Sequence, residues 1–188
     1  MYISKLEKNM RLKSFEFRQY QKEIVGQGTG ILLRNKLLYL AMEVRTGKTL
    51  TSLGICDKLY ISNVLFITKK KAISSIEDDY NMLKPNFNLE VINYESLHKI
   101  KKRGWDVIVC DEAHSMGAYP KPSKRAKQVK ELIQINNPYY ILLSGTPFLR
   151  FAISPPTPSL NKGTKSCAHF LSASTKLAIV SSPAFIAF

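Results

Sequence analysis

The chain has 188 residues, 45% of them hydrophobic, which suits one domain of ordinary size with a real core. No apolar run approaches bilayer-spanning length, and the charged start Met1-Tyr-Ile-Ser-Lys-Leu-Glu-Lys8 is unlike a secretory signal, so no membrane partner and a cytoplasmic setting are expected. A net charge of +14, from 28 Lys and Arg against 14 Asp and Glu, fits either a polyanionic partner, nucleic acid foremost, or a lysine-rich solvated surface.

Along the chain, helices and strands alternate, the pattern of a parallel sheet covered on both faces. Phe17 to Leu33 reads as a helix whose middle is weakened by Gly26, Gly28 and Gly30. Leu37 to Ala41 is a buried strand, and Lys48 to Tyr60 the helix after it. Val64 to Thr68 is a second strand, followed by a helix near Ala72 to Leu83. Leu89 to Asn93 and Asp106 to Cys110 are the third and fourth strands. Trp105, just before the fourth, reads as a core aromatic. Ser123 to Ile135 is a basic amphipathic helix whose Lys124, Arg125, Lys127 and Lys130, with Lys121 before it, read as solvated surface. Tyr139 to Leu143 is a fifth strand. Cys56, Cys110 and Cys167 are odd in number and lack metal-ligand spacing, so a reducing compartment is expected, with the first two acting as small buried hydrophobes.

Composition changes after Pro147. No acidic residue occurs beyond Glu131, and residues 151–188 hold four prolines, seven serines and three lysines with no evident helix or strand period. The expected division is one lobe over 1–150, ordered from about residue 12, and an atypical tail over 151–188. That tail reads either as a disordered linker or as the product of a reading-frame change that cut a longer protein short. The apolar, uncharged end favours the second.

Two segments carry the chemistry. Met42-Glu43-Val44-Arg45-Thr46-Gly47-Lys48-Thr49 has the spacing G-x-x-x-x-G-K-[ST], with Met42 in place of the first glycine. A strand-to-helix loop of this kind points backbone N–H groups at phosphate oxygens, and the helix dipole adds positive potential. Gly47 permits close approach, Lys48 reaches the β and γ phosphates, and the Thr49 hydroxyl binds Mg²⁺. Asp111 and Glu112 follow the fourth strand and emerge at its carboxyl end, where open α/β sheets bind ligands. Asp111 would hold Mg²⁺ and Glu112 would polarise the attacking water. An Asp-Glu pair after a strand is ordinarily a helix N-cap, and the phosphate loop upstream is what favours hydrolysis of ATP.

Taken together, Tyr20-Gln21, Glu43-Val-Arg-Thr-Gly-Lys-Thr49, Asp111-Glu-Ala-His114 and Ser144-Gly-Thr-Pro147 resemble superfamily-two helicases, most of all the Swi/Snf-like group with its short phage-encoded members. The resemblance covers about residues 15 to 148. It implies the first of two RecA-like lobes: an α/β P-loop NTPase fold with a mostly parallel sheet and helices on both faces. It implies that Gln21 reads adenine, as a side-chain amide can through N6 and N7, with Arg18 and Tyr20 beside it at the nucleotide. Lys69, Lys70 and Lys71 are similar to a motif that touches the nucleic-acid backbone, and Tyr94, within Asn93-Tyr-Glu-Ser96, to the next such motif. Ser144 and Thr146, with His114, match the residues that link the ATP site to the nucleic-acid track.

The activity implied is ATP-dependent helicase or translocase action on DNA more than RNA, with ATP and Mg²⁺ as cofactors, in the host cytoplasm if phage-encoded. Nothing after Pro147 resembles the second lobe, whose arginines stabilise the transferring phosphoryl group. Weak nucleotide binding and little stimulated hydrolysis are therefore expected of these residues alone. The alternatives are a non-catalytic nucleic-acid-binding module from a truncated helicase and a restriction-type translocase subunit. Gln21, the Asp-Glu-Ala-His box and Ser-Gly-Thr-Pro argue against an AAA-type ATPase.

Overall fold

The structure is a computed structural model that describes residues 15–113 and 123–145, and the backbone of two further segments, 168–171 and 177–180. The elements are α1 (Gln19–Asn35), β1 (Leu37–Ala41), α2 (Lys48–Lys58), β2 (Asn63–Thr68), α3 (Ile73–Leu83), β3 (Asn88–Asn93), β4 (Val107–Cys110), α4 (Lys124–Asn136), β5 (Tyr139–Ser144), β6 (Ala168–Leu171) and β7 (Leu177–Val180). Short 3₁₀ turns precede α3 at Lys70–Ala72 and follow β3 at Tyr94–Lys99.

One sheet organises them, in the order β3-β2-β4-β5-β1-β7-β6. The first five strands run parallel, and β7 and β6 extend the sheet antiparallel from β1. The α/β fold with a mostly parallel sheet is therefore as expected. The strands β6 and β7 lie in the segment whose sequence shows no period. Four residues are too few for an alternation to stand out, and pairing with β1 is a tertiary event.

The four central strands alternate side chains between two cores, as strands buried on both faces must. Leu38, Leu40, Val64, Phe66, Val107, Val109, Ile141 and Leu143 face one core with Ile24, Val25 and Leu32 of α1, Leu53 and Ile55 of α2, and Ile76 of α3. Leu37, Tyr39, Leu65, Ile67, Ile108, Cys110, Tyr140 and Leu142 face the other with Tyr94, Leu97, and Val129 and Leu132 of α4. Trp105 is only half-buried against this second core, and its indole N–H donates to the Lys101 carbonyl at 2.8 Å. Cys56 and Cys110 are buried as expected.

The glycines of α1 do not interrupt it. A Cβ on Gly28 would lie 2.8 Å from Ile55 Cδ1 and 3.2 Å from Leu38 Cδ2, so Gly28 is a point of close approach between the helix and both α2 and β1. The helix ends at Lys36, left-handed at φ 58, whose N–H donates to the Leu32 carbonyl at 2.8 Å. Helix α2 stops at Lys58, and Tyr60, expected inside it, stands 97% exposed at φ 51. Among the described residues no helix is long and apolar enough to cross a membrane.

Candidate nucleotide-binding site

Because β1 to β5 are parallel, their carboxyl ends share one edge of the sheet. Read across it in strand order, the segments leaving that edge are Tyr94 after β3, Lys69 after β2, Asp111 and Glu112 after β4, Ser144 and Gly145 at the end of β5, and Met42 to Thr49 after β1. The phosphate loop and the acidic turn are thus separated by one intervening strand. At about 4.8 Å per strand that is a gap of about 10 Å.

The loop is held at its base and folded on itself. The Met42 N–H donates to the Ser144 carbonyl at 3.1 Å, continuing the β1–β5 ladder. The Thr46 hydroxyl donates to the Glu43 carbonyl at 2.7 Å and closes the turn. Arg45 and Gly47 are left-handed, at φ 67 and φ 79, and Gly47 stands at the N-terminus of α2. Glu43, Val44 and Arg45 are exposed, while Thr46 to Thr49 are half-buried. The Lys48 ammonium reaches back toward β5, 3.4 Å from where a Cβ on Gly145 would stand. Its positive charge therefore lies above the strand between loop and acids.

Asp111 is fixed from three sides. Its N–H donates to the Ile67 carbonyl at 2.8 Å. Its Oδ2 accepts from the Thr68 hydroxyl at 2.8 Å, and its Oδ1 from the Glu112 N–H at 2.9 Å. Glu112 is left-handed at φ 53, and its Oε2 lies 3.9 Å from the Lys69 ammonium. A hydroxyl and a carboxylate are the hard oxygen donors that Mg²⁺ takes alongside phosphate oxygens and water, so Thr49 and Asp111 fit that ion. Among the described residues no three His, Cys, Asp or Glu side chains converge on a metal position.

Other expected site residues pack around the loop and the acidic turn. Gln21 is 4% exposed, and both ends of its amide are engaged: Oε1 accepts from the Arg18 N–H at 3.0 Å, and Nε2 donates to the Thr46 carbonyl at 3.3 Å. It ties the start of α1 to the phosphate loop, helped by the Tyr20 hydroxyl, which donates to the same carbonyl at 2.8 Å. Arg18 is exposed, with its guanidinium 3.4 Å from the Tyr20 hydroxyl. Tyr94 corrects the expectation of a nucleic-acid contact. It is 1% exposed, and its hydroxyl donates to the Asp111 carbonyl at 2.6 Å, so the ring belongs to the core and its polar end to the acidic turn. Lys69, Lys70 and Lys71 do stand at the edge, with Lys69 turned toward Glu112. Ser144 is buried and bonded through its side chain to Tyr39, whose phenol burial raises above its ordinary range. His114 and Thr146 lie outside the described residues.

Two contacts around the acidic turn come from packing between elements distant in sequence. Thr68 ends the strand that, with Lys69 to Lys71, resembles the motif touching the nucleic-acid backbone, and the strand order puts its hydroxyl beside Asp111. Arg125 lies over the Tyr94 ring, 5.9 Å from its centroid, with Nη2 2.5 Å from Glu95 Oε1; nothing local in the sequence signals that pairing.

Comparison with known proteins bears on the family and the fold. The SNF2-related domain family matches residues 59–153. Among solved structures, the SWI2/SNF2 ATPase core of Sulfolobus solfataricus in complex with dsDNA superposes with a TM-score of 0.57 at 22% identity, covering 71% of this chain and 33% of that one. At that identity the likeness is one of fold. The chain thus spans about a third of the length of the solved structure it matches. No curated protein matches the sequence.

Proposed function

The chain belongs to the SNF2-related domain family, and from that premise we propose that it is the ATP-binding lobe of an ATP-dependent DNA translocase or helicase of the Swi/Snf-like kind. One observation carries the reading: the Gly-Lys-Thr loop and the Asp-Glu turn leave the same sheet edge with a single strand between them. Lys48 and the backbone amides at the start of α2 receive the β and γ phosphates. Thr49 and Asp111 would hold Mg²⁺, which would supply positive charge to offset that developing on the phosphate oxygens. Glu112 orients and polarises the attacking water. Lys69, Lys70 and Lys71 meet the phosphates of a nucleic acid laid across the edge, and a double-stranded substrate is favoured by the DNA-bound state of the Sulfolobus core.

Titration with a fluorescent ATP analogue tests this directly. Mg²⁺-dependent binding is expected in the wild-type chain and not in Lys48→Ala, and equal binding by both would refute the assignment. The three lysines that leave the sheet edge after β2 also suit a second reading, in which these residues hold DNA without turnover. Salt-dependent DNA binding that survives Lys48→Ala, with no ATPase in the wild type, would select it.

A further inference from the structure

We infer that Tyr94 is a positioning residue that clamps the Asp111–Glu112 peptide, and that Arg125 braces it from the surface. The inference rests on the proposed role of those two acids. The peptide unit joining them is held at both ends. Its carbonyl oxygen accepts from the Tyr94 hydroxyl at 2.6 Å, and its N–H donates to Asp111 Oδ1 at 2.9 Å. Rotation of this one peptide plane would break both bonds at once. It would also release Glu112 from φ 53, a conformation that costs a non-glycine residue about 1 kcal/mol and persists only where its surroundings impose it.

Tyr94 is well suited to impose it. The Asn93 side chain accepts from the Ser96 N–H at 2.8 Å and anchors the turn that carries the tyrosine. The ring is 1% exposed, and the Arg125 guanidinium covers it while pairing with Glu95 on the same turn. Burial, then the neighbouring Cys110, Asp111 and Glu112, hold the phenol well above its ordinary range, so the hydroxyl remains a donor at any working pH. A core tyrosine could in principle only fill space here. What separates the two roles is whether the hydroxyl governs the metal-binding carboxylate and the glutamate after it.

Tyr94→Phe removes that hydroxyl and leaves the ring. Two measurements on the full chain decide the matter: amide hydrogen exchange at Glu112 by NMR, with Ile108 and Val109 as references, and ADP affinity with Mg²⁺ against affinity in EDTA. Faster exchange at Glu112 with unchanged exchange at the references is expected. The Mg²⁺-dependent gain in affinity should fall about tenfold, as when an orienting partner of a metal ligand is lost, while affinity in EDTA holds. Unchanged exchange at Glu112, or an equal fall in affinity with and without Mg²⁺, overturns the inference. Should the wild type itself show no Mg²⁺-dependent gain, the proposed function fails, and exchange alone then decides the clamp. If Tyr94→Phe does not fold, Arg125→Ala is measured in the same way: faster exchange at Glu112 supports the clamp, and no change overturns it.

Discussion

Two aspartates stand at opposite ends of β4 and are used in opposite ways. Asp106, before the strand, accepts with Oδ2 from the backbone N–H groups of Ser62 and Asn63, both at 2.9 Å, and so staples the start of β2 to the start of β4. Asp111, after the strand, spends its carboxylate on a threonine hydroxyl and on the amide of its own left-handed neighbour. At the amino edge, then, polar side chains finish the backbone's hydrogen bonding. Asn136 does the same there, accepting from Gly104 N–H at 2.9 Å and Trp105 N–H at 3.3 Å. At the carboxyl edge, side chains hold one another in conformations the backbone does not favour. Of the described non-glycine residues at positive φ, Lys36, Tyr60, Lys84 and Asn137 sit just past helix ends, where that conformation is an ordinary cap. The other two, Arg45 and Glu112, lie in the phosphate loop and the acidic turn. Strain of this kind concentrates where a site must be preorganised.

The comparison breaks if the two aspartates behave alike. Asp111→Asn should cut Mg²⁺-dependent nucleotide affinity on the order of a hundredfold, since even the outer partners of a metal ligand cost 10- to 100-fold, with little change in melting. Asp106→Ala should do the reverse. Leaving two backbone amides without their acceptor costs about 1–2 kcal/mol, read in urea melts, while nucleotide affinity stays put. Equal destabilisation by both would mean that the acidic turn is simply another staple.

Two glycines sharpen the same contrast. Gly47→Ala places a side chain at φ 79, against the Gln21 amide, and should cost about 1–2 kcal/mol together with most nucleotide binding. Gly26→Ala, in the middle of α1 with open space around it, should stabilise the fold by about 0.5–1 kcal/mol. A smaller effect is expected at Lys69, whose pairing with Glu112 at 3.9 Å joins partly exposed groups. Lys69→Ala should change stability by less than about 0.5 kcal/mol, yet lower DNA affinity uniformly across sequences, with the salt slope reduced by about one. A large loss of stability from Lys69→Ala would make the edge a structural seam.

Why some of this was legible in the sequence and some was not follows from what is local. All five parallel strands and their helices announce themselves through apolar runs and their periods, because each is a property of its own few residues. Lys48, Thr49, Asp111 and Glu112 carry spacings tied to phosphate and metal chemistry, and strand ends are easily placed on an edge. The contacts of Gln21, Tyr94, Thr68 and Arg125 depend on which elements distant in sequence pack together. A tyrosine after β3 looks the same in sequence whether it faces solvent or an aspartate carbonyl across two strands. The pairing of β7 with β1 likewise depends on an unfilled edge and not on the four residues that fill it.

Cys110 offers the finest probe, because it lies on β4 directly before Asp111. Burial first, and then the charge of Asp111, push its thiol up from 9.0 to about 12. In the unfolded chain the thiol ionises near its ordinary value, so unfolding releases a proton at alkaline pH that the native state retains. The group therefore contributes stability that is whole below pH 9, shrinks as pH rises above it, and is exhausted near 12. Against wild type, Cys110→Ala carries a constant cost for the lost packing, and the difference between the two should narrow steadily from pH 9 upward. In an Asp111→Asn background the narrowing should be slightly smaller, since the native thiol no longer feels that carboxylate. Urea melts of the four chains between pH 8 and pH 11 would measure both. A difference independent of pH would mean that the end of β4 is wet, and that Asp111 is held in water and not in the enclosed corner that Thr68 and Tyr94 make for it.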